Sequence, residues 1–490
     1  MTAALAAEAP ASNVLDELLR SAQPGYERSV HEILQGFWRL FGDAAFEGVD
    51  RDGFVDRVLG LIDQAALAPA IRLAALKDLS SLGWWTDLRV CDREAGAIAA
   101  LARRIQFRAV KGRSGSMLRR ASPQARRNHA VFVGALVGLM HSPTRGSFDY
   151  VRALVADPAN ERIDVFHARS LTPAMRDYAA ELFGAAAERV RYIAMGETPD
   201  WLERAATGGP YTYHFWCEDS LGLHVGQLPM LGPAIAFTCA DLAPVQFADV
   251  YWYGQDEAYI RALWRRQSAP ERFIENYRFL RSTPLNLPKP SAVRARAEIG
   301  VGPAETLLAS VGNRLGRELD QPFVDGLAGF LLKRPNVRWM AVGGLPDYWT
   351  SAFGRVLGRQ FIHVLYDEDL AGLLGICDVF ANPFRVGGGH SSVIAIDAGA
   401  AVLARGDLGD VGALVPREHR AQGVADYFDK LDRLVAEPDL RASWLDAQRA
   451  YLAEIANPAT FAAELSDVCD LAYRRFAERL PIDLRKLFAQ

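Results

Sequence analysis

Apolar residues fall three and four apart through VHEILQGFWRLF, GFVDRVLGLIDQAA and IRLAALKDLSSLGWW, so the chain from about Val14 to Phe107 reads as helical throughout. The spacing carries no fixed-period repeat, which argues for packed helices and against a solenoid. After His129 the texture changes. Short apolar runs alternate with helical patterns: AVFVGALVGLM precedes a helix at FDYVRALVAD, IDVFHAR one at PAMRDYAAELFG, and VRYIAMG one at WLERAAT. That alternation is the pattern of parallel strands joined by crossover helices. The run SLGLHVGQLPMLGPAIAFTCADLAPVQFADVYWYG adds further strands and turns, and STPLNLPKPSAVRAR is a proline-rich break. The pattern then restarts with LLASVGN, VRWMAVGG, FIHVLY, VFANPF and AVLARG as strands, each followed by a helical segment except the last.

The predicted fold class is therefore α/β, with two facing doubly wound Rossmann-like units preceded by an all-helical domain. The expected boundaries are 1–125 for the helical domain and a basic linker, 126–285 for the first unit, and 286–490 for the second with C-terminal helices. Ligands of such sheets bind outside the carboxyl ends of the strands, which makes a cleft between two facing units the expected site.

Composition narrows the partners. The 490 residues are 50% hydrophobic and 23% charged with a net charge of −4, an ordinary globular balance that asks for neither nucleic acid nor an acidic membrane. Cys91, Cys217, Cys239, Cys377 and Cys469 show no CxxC spacing, so no zinc site or disulfide framework is expected and a reducing cytoplasm fits. The alanine-rich start carries acids and no basic residue ahead of an apolar core, a poor signal peptide. No apolar run reaches the roughly 20 residues that span a bilayer. The basic stretch from Arg108 to His129 reads as a solvated connector or as a contact for phosphate or an acidic partner.

Candidate chemistry concentrates in Asn382 to Leu403, NPFRVGGGHSSVIAIDAGAAVL. Glycines allow positive φ and close backbone approach, and the helix that follows points its amides and positive dipole end at the same space. Gly388, Gly389, His390, Ser391 and Ser392 are thus candidates to hold a phosphate, the serines acting as helix caps or as hydroxyl donors; a glycine-rich turn with a serine cap is the plainer reading.

Directly after the first strand of the second unit, SVGNRLGRELDQPF places Asn313, Arg314 and Arg317 at a strand's carboxyl end, where arginine suits bidentate phosphate recognition. His141, in LMHSPTRGSF at the end of the first unit's first strand, is a candidate general base or an ordinary loop residue. Thr144, Arg145 and Gly146 open the next helix and can bind an anion or cap it. The aromatic Tyr251, Trp252 and Tyr253 read either as a stacking platform or as interdomain packing. Tyr366 is a candidate for stacking on a nucleotide, and the acids Asp367 to Asp369 suit the following helix N-terminus.

In this order the motifs resemble a nucleotide-sugar glycosyltransferase of the GT-B fold, more narrowly the family of O-GlcNAc transferase and the bacterial cytoplasmic adhesin glycosyltransferases. NRLGR is similar to that family's diphosphate-binding Asn-x-Leu-x-Lys loop, with Arg317 at the lysine position. Gly389 to Ser392 is similar to its Gly-His-Thr-Thr segment, and LAPVQ, Leu242 to Gln246, to its Leu-Ala-Pro-x-Gln. The resemblance covers about Val131 to Phe476; the helical domain matches in kind. Two features depart from it: Ile394 stands where the family has a helix aspartate, with Asp397 the nearby acid, and VYWYG replaces a Gly-His-Pro stretch.

The resemblance implies a UDP-sugar donor with no permanently bound cofactor, no metal, an inverting outcome, and a protein side chain as first acceptor, met through the helical domain. Arg317, Arg314 and the helix amides would carry the leaving charge. Glycan or lipid-linked acceptors, a noncatalytic binding module and a nucleotide-sugar epimerase stay open as alternatives.

Overall fold

The computed structural model describes residues 51–479 except 65–68, 80–91, 112–122, 140–141, 168–170, 196–199, 217–227, 238–242, 245–246, 255–256, 283–286, 313–314, 406–408 and a few other positions, five of them between 70 and 78. These residues fall into two compact units, Met1–Leu280 with Phe461–Gln490, and Arg281–Thr460.

In the first unit, β1 (Asn128–Val133), β2 (Arg162–His167), β3 (Val190–Ala194), β4 (Thr212–Trp216), β5 (Ala234–Phe237), β6 (Val250–Tyr253) and β7 (Tyr277–Phe279) form one sheet in the order β3-β2-β1-β4-β5-β6-β7. Every pair is parallel, with Val131 opposite both Val165 and His214. The crossovers run through α3 (Ser142–Ala156), α4 (Pro173–Phe183) and α5 (Asp200–Thr207), with α6 (Glu257–Arg266) and α7 (Glu271–Glu275) before β7; α1 (Arg51–Gln64) and α2 (Asp92–Lys111) precede the sheet.

Parallel strands are covered on both faces, which is why they read as near-continuous apolar runs. Along β1, Ala130 and Phe132 enter one core while Val131 and Val133 enter the other. Local signals set the helices: Thr172 accepts a hydrogen bond from the Met175 amide at 3.3 Å, Pro173 fills the first position of α4, and Gly184 ends it at φ +53°.

Tyr251, Trp252 and Tyr253 are not an exposed stacking platform. With Val250 they form β6, buried and second from the edge of the first sheet, with Trp252 stacked on Phe461 at 5.1 Å. Four consecutive apolar residues between Asp249 and Gly254 make a doubly covered strand, and that requirement outranks any ligand role.

The described part of the helical region packs on this same unit. Arg103 of α2 donates to the Pro244 and Ser268 carbonyls at 3.3 and 3.4 Å. Gly96 lies so close to the chain at Gln267 that a Cβ would meet the Gln267 carbonyl oxygen at 2.5 Å. Of the basic stretch, Arg126 sits over the Tyr473 ring at 4.3 Å and Arg127 pairs with Glu161 at 2.6 Å, while His129 belongs to β1 and is buried.

The second unit repeats the plan: β8 (Thr306–Val311), β9 (Val337–Val342), β10 (Phe361–Val364), β11 (Val379–Ala381), β12 (Ala401–Arg405) and β13 (Arg420–Ala421) lie parallel in the order β10-β9-β8-β11-β12-β13. Its helices are α8 (Leu315–Glu318), α9 (Gln321–Leu332), α10 (Asp347–Leu357), α11 (Leu370–Leu374), α12 (Gly389–Ala398), α13 (Gly409–Ala413), α14 (Val424–Ala436) and α15 (Pro438–Ile455).

The last helix, α16 (Pro458–Arg479), read from the sequence with the second unit, packs in the first. Phe461, Leu465, Val468 and Ala472 recur at helical spacing and enter the same core as Val131 and Trp252. At its end Arg479 forms a fully buried ion pair with Asp249, Nε to Oδ1 2.5 Å, and also donates to the Pro229 carbonyl. Among the described residues no helix is long and apolar enough to cross a membrane.

Candidate functional site

In the second sheet the strand order reverses direction between β8 and β11, so the crevice of this unit opens at their carboxyl ends. Both motifs that the sequence singles out arrive there. The loop after β8 leads into α8, and the loop after β11 leads into α12.

Helix α12 starts without a side-chain cap: Gly388 is its N-cap residue at φ +109°, ψ 0°. Of the three consecutive glycines, Gly388 is the one in the left-handed region. The first-turn amides of a helix have no acceptor one turn back and point off its end, where the positive end of the dipole also lies. Gly389, His390 and Ser391 occupy that turn, with His390 and Ser391 half-buried.

Neither serine caps the helix. Ser392 is fully buried and its hydroxyl donates to the Gly389 carbonyl at 2.8 Å, which leaves Ser391 as the half-buried hydroxyl of the pair. The helix ends at Gly399, φ +114°, whose amide donates to the Ala395 carbonyl at 2.9 Å.

The expected acid is absent from the start of this helix. Ile394 packs in the core of the second unit. Asp397 lies eight residues beyond Gly389, about 12 Å along the axis, and its carboxylate faces Lys289 at 3.9 Å.

A residue that the sequence reading passed over organises the site. Arg385, with a side chain 3% exposed, donates from Nε to Asn382 Oδ1 at 2.9 Å, from Nη1 to Glu318 Oε2 at 2.7 Å and from Nη2 to the Val311 carbonyl at 2.5 Å. One guanidinium thus ties the end of β8, the end of α8 and the loop after β11. The loop is further fixed by Tyr427, whose hydroxyl donates to the Asn382 carbonyl at 3.0 Å, and by Phe384 packed edge-on against that ring.

The glycines make room for this group. A Cβ on Gly312 would strike Arg385 Nη1, and one on Gly388 would come within 2.5 Å of Asn382 Oδ1 and 2.6 Å of Arg385 Nη2. The sequence signal was an arginine wedged between NPF and GGG; as a loop residue it looks solvated.

Arg317 falls within α8. His141, Asn313 and Arg314 lie outside the described residues. Tyr366 follows the edge strand β10 and is 62% exposed. Three strand spacings separate β10 from β11, roughly 14 Å, so Tyr366 can meet only a part of a ligand distant from the start of α12.

The acids beside Tyr366 are structural. Asp369 is the N-cap of α11, accepting from the Gly372 amide at 2.9 Å, and it also accepts from the Ser291 hydroxyl and amide at 2.6 and 3.0 Å. These donors hold its carboxyl below the usual range, the Ser291 hydroxyl most strongly. Asp367 takes Arg294 at 2.7 Å, so the two acids pin the proline-rich segment to this strand end.

In the first unit, His129, His214 and Cys469 form the one group of three possible metal ligands found among the described residues. Their hydrogen bonds already account for both rings. The Asn160 amide donates to the Leu154 carbonyl at 2.7 Å, which turns its oxygen toward His129 Nε2 at 2.9 Å; His129 Nδ1 then accepts from His214 Nε2 at 2.9 Å, and His214 Nδ1 accepts from the Tyr150 hydroxyl at 2.7 Å. Both rings are neutral in this chain. Burial lowers the His129 pKa to about 4 and that of His214 well below its ordinary value.

No protein-family model and no curated protein sequence matches the chain. Solved structures do. A Thermobaculum terrenum O-GlcNAc transferase mutant is similar with a TM-score of 0.58 at 14% identity, over 97% of this chain and 99% of that one. Anabaena HepE in complex with UDP follows at 0.51 and 14%, over 70% and 99%, and a Rickettsia africae glycosyltransferase at 0.50 and 11%, over 70% and 98%. At these identities the likeness is one of fold: the two parallel sheets with their helices make the GT-B architecture, as the resemblance in the motifs implied.

Proposed function

We propose that this chain is a glycosyltransferase that moves a sugar from a UDP-sugar to an acceptor, with a protein side chain as the first candidate acceptor. The observation that carries the reading is the start of α12: a helix capped by a left-handed glycine opens at the switch point of the second sheet, beside the helix α8 that contains Arg317. Cleavage of the sugar–phosphate bond leaves negative charge on the diphosphate. In this reading the amides of Gly389, His390 and Ser391, the dipole of α12 and the cations Arg314 and Arg317 stabilise that charge.

In this proposal the cations and amides do the work of a metal ion, Asn313 and Ser391 add hydrogen bonds to the diphosphate, and Tyr366 stacks on the nucleoside. His141 is the general base for the acceptor hydroxyl on sequence grounds. The UDP bound to Anabaena HepE supports the choice of donor; the protein acceptor rests on the resemblance in the motifs. The helical region, packed on the first unit, is the proposed seat of the acceptor protein, and the cytoplasm, where nucleotide sugars are made available, the proposed compartment.

The test is intact-protein mass spectrometry on cells with and without the chain, together with UDP release from UDP-sugars by the purified protein in EDTA. A sugar-sized mass increment on one protein, with UDP release that persists in EDTA and requires that acceptor, is expected. Acceptor-independent formation of an altered sugar would replace the reading with an epimerase. Failure to bind any UDP-sugar would replace it with a binding module.

A further inference from the structure

We infer that Arg385 is a positioning residue that neutralises Glu318 and locks the two halves of the diphosphate site together. The inference rests on the diphosphate reading of α12 and α8.

Glu318 is the last residue of α8 and directly follows Arg317. Its carboxylate is 17% exposed, close to the crevice at the ends of β8 and β11. A bare carboxylate there repels a diphosphate, and partial burial weakens solvent screening. Arg385 removes that repulsion at 2.7 Å with a guanidinium that is itself buried.

The geometry does more than balance charge. The Nε and Nη2 bonds to Asn382 Oδ1 and the Val311 carbonyl fix the guanidinium plane from two further strands' ends, so α8 can take one position relative to the start of α12. Gly312 and Gly388 flank the group, and neither leaves space for a side chain. The glycine of SVGN and the middle glycine of GGGH are therefore two parts of one device, a slot for a planar cation. A buried ion pair is weak evidence for stability, because apolar residues of similar volume commonly do as well. Its place at the one crevice where an anion is expected is what gives it a function.

The experiment is calorimetric titration of UDP and of uridine into the full-length wild type and the variants R385M, E318Q and R385M/E318Q. Uridine lacks the diphosphate, so the ratio of the two affinities reads the diphosphate site alone, which a general loss of stability does not move. The wild type prefers UDP. R385M loses about ten-fold or more of that preference while its uridine affinity holds, because Glu318 loses the guanidinium charge at 2.7 Å. R385M/E318Q regains most of it.

E318Q alone keeps a partner for Arg385 and binds UDP at least as well as the wild type, which keeps the idea testable if R385M does not fold. A wild-type preference in R385M, a double variant no better than R385M, or a ten-fold loss in E318Q overturns the inference. A wild type that binds UDP no better than uridine removes the diphosphate reading itself, and this inference with it.

Discussion

The first six strands of the two sheets follow one order, but the deepest charge in the first sheet, Asp164, lies toward its amino end and the deepest guanidinium of the second unit, Arg385, past the carboxyl ends. In the first unit the deep network lies in the amino-terminal half: His129 is the second residue of β1, Asn160 precedes β2, and His214 is the third residue of β4. Asp164, also early in its strand, is fully buried and accepts from Arg191 and Tyr211 at 2.7 and 2.5 Å. In the second unit the deepest guanidinium, Arg385, sits past the carboxyl ends of β8 and β11. Ligands of such sheets gather at carboxyl ends, so a network at the amino end serves the fold, and one at the carboxyl end can serve a site. Position along the strand thus distinguishes the His129 and Asp164 networks from the Arg385 group within two sheets of similar order.

The sharpest way to break this comparison is to disturb each unit and read both stability and UDP binding. Arg479→Met strands the buried Asp249 carboxylate and costs about 3–5 kcal/mol in urea unfolding, with the UDP affinity of the folded protein unchanged.

Acid gives the next largest effect. The folded pKa of His129 lies near 4 against an ordinary 6.5, so the unfolded chain takes up the proton first as pH falls. Stability is full above pH 6.5 and falls by about 3 kcal/mol as pH drops toward 4, with His214 acting in the same direction. Urea midpoints at pH 7 and pH 4.5 check this; a flat profile would mean the rings are not buried as neutral groups.

Glycine substitutions give the smallest and most discriminating effect. Gly388→Ala must adopt φ +109° and collide with Asn382 and Arg385, at a cost of about 1–3 kcal/mol and with weakened UDP binding. Gly184→Ala, at φ +53° and ψ −135° with open space around its Cβ, costs about 1–3 kcal/mol and leaves UDP binding alone. Equal effects on binding would erase the distinction between the units.

Much of the fold was legible because each strand is a short apolar run and each crossover helix carries its own punctuation, as at Thr172-Pro173 and Asp320. The start of α12 was legible for a similar reason: glycines followed by an alanine-rich run can hardly be anything but a helix entrance. What the chain packs against was harder. The periodicity of Phe461, Leu465, Val468 and Ala472 marks a helix and its apolar face, yet says nothing of which sheet that face covers. Aromatic VYWYG suggested a platform because its hydroxyls and ring faces suit sugars, while the flanking Asp249 and Gly254 already marked the length of a buried strand. Arg385 and Glu318 were invisible as a pair because 67 residues separate them and each alone looks like a solvated charge.

In the proposed function a diphosphate binds where α12 begins and α8 faces it. Calorimetric titration of UDP into the wild type and into Arg317→Ala tests it most directly. Saturable binding to the wild type and a loss of at least ten-fold in the variant are expected. A wild type that gives no heat of binding, or a variant that binds UDP as the wild type does, would contradict it.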